Sequence, residues 1–295
     1  MCHPMGGLND TLCQIVKCLS YAIKSNRKLV IDTRTNPKFM ENIGEYLMFR
    51  DPWNEVASFI ANDSTEHPNR IVRQLVQNQR AVYLEDRFSF DFSKNYKDEV
   101  IHHRQSGGGL SSRFALQIFE PTSRLRALWD VLMAEVVTDD YEIVNIRNLD
   151  EYKTPSQTID DVLKEYSKLP RFYLSDDTTL QNSLNRNEDS GVFEVPHTFQ
   201  DSKFTKPFWD FGLIVRARRV RILPFQGFSY RFSGFSRFAK FSWACRTNDW
   251  SVVSDLDGIS DLGHDWLDNL ANLAVWYPRI LSMKRTELPL VSPLF

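Results

Sequence analysis

The 295-residue chain is poor in cysteine: it has four, Cys2, Cys13, Cys18 and Cys245. None forms a Cys-x-x-Cys pair, and Cys13 and Cys18 sit inside an apolar pattern. That usage argues against a disulfide-framed secreted domain and predicts small buried side chains in a reducing compartment. Long apolar runs are missing as well. No stretch approaches the roughly 20 residues that a membrane span needs. The first residues lack the basic segment and apolar stretch of a signal peptide. The location these features predict is the cytoplasm, with peripheral membrane association left open. An excess of charge of one sign is also lacking: 36 Lys and Arg against 38 Asp and Glu leave a net −2. No whole-protein field then draws nucleic acid or a membrane, so any polyanion site must come from local arrangement. No His, Asp or Glu cluster has metal-ligand spacing, so no metal is expected. There is no internal repeat and no low-complexity segment.

What is present is ordinary globular composition, 42% hydrophobic and 25% charged, enough to bury a core. The length allows one large domain or two of about 150 residues. Residues 9–25 carry Leu12, Ile15, Val16, Leu19, Tyr21, Ala22 and Ile23 at nearly helical spacing, capped by Asn9 or Asp10 and ended by Asn26. The short β-branched run Lys28-Leu29-Val30-Ile31-Asp32 follows as a buried parallel strand. Five residues precede Gly6, which leaves a first strand nearly absent. Between about 35 and 115 the pattern is weak, with a strand expected at Ala81–Leu84 and a flexible loop at His102–Ser112 around Gly107-Gly108-Gly109. A helix is predicted over 122–137.

The later chain alternates regularly. Strands are predicted at Tyr141–Ile146, Phe172–Leu174, Val192–Val195 and Val220–Leu223. Helices are predicted at 159–166, 178–185, 207–217, 234–244 and 262–276. Such alternation implies parallel sheets with helices on both faces. The best domain boundary is Thr138-Asp139-Asp140, giving domains 1–138 and 139–295, with a last helix at 262–283 able to pack back on the first.

Three junctions suit anions. Gly6-Gly7-Leu8-Asn9-Asp10 opens the first helix, where backbone can approach a ligand and N–H groups lie at a positive dipole end; a plain strand-to-helix turn reads as well. Asn145-Ile146-Arg147 ends a strand. Alternation places Asn145 and Arg147 on one side, and Arg147 offers a forked cation for a diphosphate or is a simple exposed strand-end residue. Ser175-Asp176-Asp177 ends the next strand, where Asp177 caps a helix or Asp176 meets a ribose or base. Residues 203–246 hold ten basic residues against one acidic residue, Asp210, a local charge of +9 interleaved with phenylalanines. Phe235, Phe238 and Phe241 recur at core-facing spacing, and Ser233-Gly234-Phe235-Ser236 forms an anion cradle at a helix N-terminus.

Taken in order, these motifs resemble the fucosyltransferases of the α1,2-, α1,6-, protein-O- and nodulation group. Gly6-Gly7-Leu8-Asn9 is similar to their glycine-rich loop. Asn145-Ile146-Arg147 resembles their His-x-Arg strand, and Tyr173-Leu174-Ser175-Asp176-Asp177 resembles the strand after it. Trp209-Asp210-Phe211 through Ser233-Gly234-Phe235-Ser236-Arg237-Phe238-Ala239 resembles their last motif. The resemblance implies an α/β GT-B fold, two Rossmann-like domains with the donor in the cleft, and no required metal. It implies that Arg147 binds the β-phosphate and stabilises the leaving diphosphate. It implies that Ser233, Gly234, Phe235 and Ser236, with Arg237 beside them, cradle the phosphates, and that Asp210 contacts guanine. Gly6, Gly7 and Asn9 would approach from the first domain. Asn145 stands where the family has His, and Gly234 where it has Ser. The donor implied is a nucleotide sugar, GDP-fucose first, and the acceptor a glycan or polysaccharide hydroxyl.

The reaction so implied is inverting, with charge developing on the diphosphate. Asp10 and Asp32 are candidates for a general base by position, and His102 and His103 rank no higher. Other readings stay open: another nucleotide sugar, nucleotide binding without turnover, or an RNA-binding module built on 216–246.

Overall fold

A computed structural model of the chain describes residues 1–60, 81–84, 94–98, 100–106, 118–136, 140–148, 153–187, 199–226 and 233–247. The strand expected at Val192–Val195, the helix at 262–276 with its extension to 283, and the triplet Gly107-Gly108-Gly109 lie outside these residues. The chain divides into two compact units. Of the described residues, Met1–Arg126 and Ser202–Phe204 belong to the first unit, and those from Ala127 to Asp201 and from Thr205 to Thr247 belong to the second.

The first unit is built on a parallel five-stranded sheet in the order β4-β2-β1-β6-β5. Its strands are β1 (Cys2–Met5), β2 (Leu29–Ile31), β4 (Ala57–Phe59), β5 (Ala81–Leu84) and β6 (Val100–Ser106). The expectation that the first strand is nearly absent is corrected here. The four residues before Gly6 are β1, and they lie in the middle of the sheet, pairing with β2 and β6. Helix α1 (Leu8–Lys24) follows at once and packs its Leu8, Leu12, Ile15, Val16 and Leu19 face inward. Burial of each such side chain contributes about 1.5–3 kcal/mol. Just beyond the helix Asn26 takes φ 52°, a left-handed conformation that asparagine tolerates better than most residues.

A second correction concerns 102–112. Its described part is strand, with Cys2 opposite His103 and Met5 opposite Ser106. The sequence Val-Ile-His-His-Arg-Gln-Ser has no apolar alternation, so periodicity misses it. Its histidines are buried and act as core residues. An antiparallel pair, β3 (Leu47–Phe49) with β7 (Phe119–Pro121), also belongs to this unit. Phe39 stacks on Phe204 with ring centroids 4.0 Å apart, tying Ser202–Phe204 into the first unit.

The second unit holds a parallel sheet in the order β10-β8-β9: β8 (Glu142–Ile146), β9 (Arg171–Ser175) and β10 (Arg219–Ile222). The helices are α2 (Ser123–Glu135, shared across the division), α3 (Ser156–Lys164), α4 (Thr178–Asn187), α5 (Thr205–Arg216) and α6 (Gly234–Thr247). Val144, Ile146, Tyr173, Ile159, Val162, Leu184 and Leu223 form its core cluster. Helix α2 approaches α5 closely at Gly212, where a Cβ would lie 2.6 Å from Leu132 Cδ2. The Trp129 indole N–H donates to the Phe208 carbonyl at 3.2 Å across the same contact.

Candidate functional site

Parallel strands deliver their loops to one edge, and the following helices begin there, so polar groups at the C-terminal ends of strands converge. In the second unit that edge gathers Asn145 near the end of β8 with Arg147 and Asn148 just past it, Ser175 at the end of β9 with Asp176 and Asp177 just past it, and the first turn of α6. Arg147 lies one residue past β8. Its backbone is held from both sides by Thr154, which accepts from the Arg147 N–H through Oγ1 (3.2 Å) and donates its own N–H to the Arg147 carbonyl (2.7 Å). The guanidinium meets the Asp176 carboxylate, Nη1 to Oδ2 3.2 Å.

Asp176 and Asp177 divide the work. Asp176 Oδ1 accepts the Asn148 N–H at 2.7 Å. Asp177 Oδ1 accepts the N–H groups of Thr179 (2.9 Å) and Leu180 (3.2 Å) as the cap of α4. Asp177 Oδ2 takes the Asn148 side-chain amide at 2.8 Å. The hydrogen bond from Asn148, then those from the Leu180 and Thr179 N–H groups, hold the Asp177 carboxyl below its ordinary range. The capping reading of Asp177 is thus realised.

At α6, Ser233 is the cap: its Oγ accepts the Ser236 N–H at 3.1 Å. The Ser236 hydroxyl donates to Asn145 Oδ1 at 2.5 Å. With that proton committed, the 2.5 Å contact between the two serine oxygens has Ser233 as donor. Both hydroxyl protons therefore run toward β8. The N–H groups of Gly234 and Phe235 remain as first-turn donors without intrahelical acceptors, at the positive end of the helix. Phe235 is partly exposed, whereas Phe238 is buried and stacks on Phe211 at 4.9 Å. Arg237 lies in α6, but its side chain is outside the description, as are those of Phe241 and Cys245.

Asp210 lies mid-way along α5 and receives Lys206 Nζ at 2.5 Å. Burial pushes the Asp210 carboxyl up, and the Lys206 charge opposes it in part. Lys206 also reaches Gln181 Oε1 (3.4 Å), which accepts the Ser175 N–H (2.9 Å). Asp210 is in this way linked to the end of β9. Lys206 and Gln181 were not legible as site residues in the sequence; the expected helix at 207–217 left Lys206 outside it, whereas α5 begins at Thr205 and puts Lys206 four residues before Asp210 on one helix.

Among the described residues, the basic side chains of 203–246 do not form one anion surface. Arg219 and Arg221 sit on Glu142, at the N-terminal ends of the strands and away from Arg147. Arg171 joins them on Glu142 at 2.9 Å. Burial pushes the Glu142 carboxyl up, but the hydrogen bond from Arg171 and the charges of Arg221 and Arg171 outweigh it and hold it low. Arg221 also pairs with Glu165, Arg218 with Asp140, and Arg246 donates to the carbonyls that end α5. The partners come from distant sequence, which is why composition alone suggested a nucleic-acid surface.

In the first unit, Gly6 takes φ 91° and a Cβ there would lie 2.8 Å from Asp10 Oδ2. Asp10 caps α1 by accepting the Gly7 N–H at 3.4 Å. Asn36, buried and not singled out from sequence, clamps the turn by donating to the Gly6 carbonyl (3.0 Å) and to Thr11 Oγ1 (3.2 Å). Its Asn-Pro step was the signal. Asn9 is buried, its Oδ1 toward Cys13 Sγ at 3.8 Å. Of the acid–base candidates, Asp32 is fully buried and chelated by Arg34, whose Nε and Nη2 lie at 2.9 and 3.1 Å. Asp10 is partly exposed. His102 stacks on His3, with Nδ1 3.2 Å from His3 Nε2. Burial pushes His102 down to about 4, and burial with the neighbouring His102 pushes His3 down to about 3. His103 is buried as well.

No protein-family profile and no curated protein sequence matches the chain. Solved structures do. The crystal structure of NodZ alpha-1,6-fucosyltransferase co-crystallised with GDP matches at 17% identity and TM-score 0.50, over 81% of this chain and 90% of that one. Fucosyltransferase NodZ from Bradyrhizobium matches at 17% and 0.49, over 81% and 91%. POFUT1 in complex with GDP matches at 10% and 0.49, over 81% and 93%. The first likeness establishes the fold: an α/β chain with parallel sheets, of the class those enzymes share. No helix among the described residues is long and apolar enough to cross a membrane.

Proposed function

We propose that the chain is a glycosyltransferase that uses a nucleoside-diphosphate sugar, with GDP-fucose as donor and a glycan or polysaccharide hydroxyl as acceptor. The observation that carries this is that the N-terminus of α6 is tied to Asn145, two residues before Arg147, at the C-terminal edge of β8 where Arg147 meets Asp176 from the end of β9. A diphosphate needs such a fork of permanent charge and a set of preorganised N–H donors. The fold likeness to an α1,6-fucosyltransferase co-crystallised with GDP supports the choice of donor. In this reading Arg147 neutralises the charge that grows on the leaving diphosphate while the acceptor oxygen attacks the anomeric carbon from the opposite face. The N–H groups of Gly234 and Phe235 take phosphate oxygens. Asp210, paired with Lys206, meets the base. Asp10 is retained as the acid–base candidate, and Asp32, Gly7 and Asn9 are given no catalytic part. The reaction is proposed to be metal-independent and cytoplasmic.

A second reading, nucleotide binding without turnover, is favoured by one observation: the Ser236 hydroxyl is committed to Asn145 and the Ser233 hydroxyl to Ser236, rather than outward. Calorimetry with GDP, GDP-fucose and UDP, on the intact protein and on Arg147→Ala, tests both. Saturable GDP binding that Arg147→Ala removes supports the site. Absence of nucleoside-diphosphate binding to the intact protein sinks it. GDP binding with no hydrolysis or transfer of GDP-fucose favours the second reading.

A further inference from the structure

We propose that Asp176 is an internal competitor for the anion held by Arg147: its carboxylate and a diphosphate oxygen take turns on the same guanidinium. The inference rests on the diphosphate role given to Arg147 above. It comes from the way Asp176 is mounted. One carboxylate oxygen is fixed, with Oδ1 accepting the Asn148 N–H at 2.7 Å. The other, Oδ2, is presented to Arg147 Nη1 at 3.2 Å. Asn148 is itself pinned to Asp177 at 2.8 Å, and Asp177 is fixed by capping α4. On the other side, Thr154 fixes the Arg147 backbone in both directions. The carboxylate is thus mounted in place and the Arg147 backbone is held, while the arginine side chain keeps its own rotations. Both side chains keep about a quarter of their surface open, 27% for Arg147 and 28% for Asp176, while Asp176 Oδ2 itself is buried against its neighbours.

The chemistry of the two anions is the same from the arginine's side. A carboxylate and a phosphate oxygen present matching acceptors to the fork. They repel one another when both sit on it, because like charges a few ångströms apart in a partly desolvated place cost free energy. A diphosphate that binds Arg147 must turn the arginine away from Asp176 Oδ2 or tolerate the carboxylate beside it. The same carboxylate then favours departure of the diphosphate product, since it restores a partner to the arginine. Asp176 is in this sense a positioning residue that weakens ground-state binding, and the ribose or base contact considered for it is a different role with the opposite sign.

Asp176→Asn separates the two. The amide oxygen keeps the bond from the Asn148 N–H, while the charge facing Arg147 is removed. Inorganic pyrophosphate and GDP are titrated by calorimetry into the full-length wild type, Asp176→Asn, Arg147→Ala and the double variant. The expected result is about two- to fivefold tighter binding of both ligands to Asp176→Asn, the range of a partly exposed ion pair. The gain vanishes in the Arg147→Ala background, which a merely structural change would not produce. If Asp176→Asn aggregates, Asp176→Ser removes the charge with a shorter side chain and is read in the same way. Equal or weaker binding by the charge-neutral variant, with GDP still bound through Arg147 in the wild type, overturns the exchange and leaves the transferase reading standing. Tighter pyrophosphate with no preference for GDP keeps the exchange and removes the nucleotide. Binding of neither ligand to any form ends both.

Discussion

The Ser236 hydroxyl donates to Asn145 Oδ1 at 2.5 Å, joining the first turn of α6 to the penultimate residue of β8. Both side chains are buried. Ser236→Ala strands the Asn145 oxygen without that donor, a loss worth about 1–3 kcal/mol. A lower urea midpoint at unchanged slope is expected, together with weaker GDP binding because the α6 N-terminus loses its tie to β8. An unchanged midpoint would show that the bond contributes nothing.

Arg147 is expected to dominate affinity for the diphosphate. A charge-assisted hydrogen bond is worth about 1.5–3 kcal/mol, so Arg147→Ala should weaken GDP binding about ten- to hundredfold at unchanged thermal midpoint. Arg147→Lys keeps charge without the fork and falls between. If transfer is observed, its rate should drop about 10²- to 10³-fold, the scale for one preorganised donor. Equal GDP affinity in all three forms rules the residue out.

The stacked pair His3 and His102 should make the first unit acid-sensitive. Their folded values, about 3 and about 4, lie below the ordinary 6.5. The unfolded chain therefore takes up protons that the folded chain refuses. Stability is complete above pH 6.5 and is lost as the pH falls from there toward the folded values. Between pH about 6.5 and about 5 each histidine should remove roughly 1–2 kcal/mol. His102→Asn should flatten the dependence of the urea midpoint on pH; an equally steep dependence in the variant would remove the pair from the account.

Glu142 is expected to be structural. Its fully buried carboxylate gathers Arg171 and Arg221. Glu142→Gln leaves those guanidinium groups without their counter-charge, and breaking a buried pair from one side costs about 3–5 kcal/mol. The protein should lose much of its thermal stability while GDP affinity of the folded fraction stays near wild type. Lost affinity at full stability would contradict the placement of this cluster away from the site.

Gly6 carries a backbone prediction. Its φ of 91° and the 2.8 Å approach of a Cβ to Asp10 Oδ2 both oppose a side chain. Gly6→Ala should cost about 1–2 kcal/mol, the usual penalty for a left-handed conformation, seen as a lower thermal midpoint. Gly7, where a Cβ would meet nothing within 4 Å, should accept alanine more readily.

The sequence by itself determined the elements whose burial follows a period. Helices α1, α2, α5 and α6 and strands β2, β8, β9 and β10 carry their apolar residues at spacings that local geometry dictates, and the strand-to-helix junctions at Gly6, Asp176 and Ser233 follow from them. The parallel α/β class follows too. Tertiary structure decided what periodicity cannot encode. Strand β6 is polar in sequence and is held by its pairing with β1 and β5, which buries its two histidines. β1 is four residues long and owes its central place to neighbours on both sides. Above all, charge is a local count in a sequence and a pairwise distance in a fold. The ten basic residues of 203–246 look like one field. Folding assigns Arg218, Arg219 and Arg221 to Asp140, Glu142 and Glu165, residues more than 50 positions away. It leaves Arg147, which composition did not distinguish, facing Asp176 at the strand edge, because Coulomb energy falls with separation in space and is indifferent to separation along the chain.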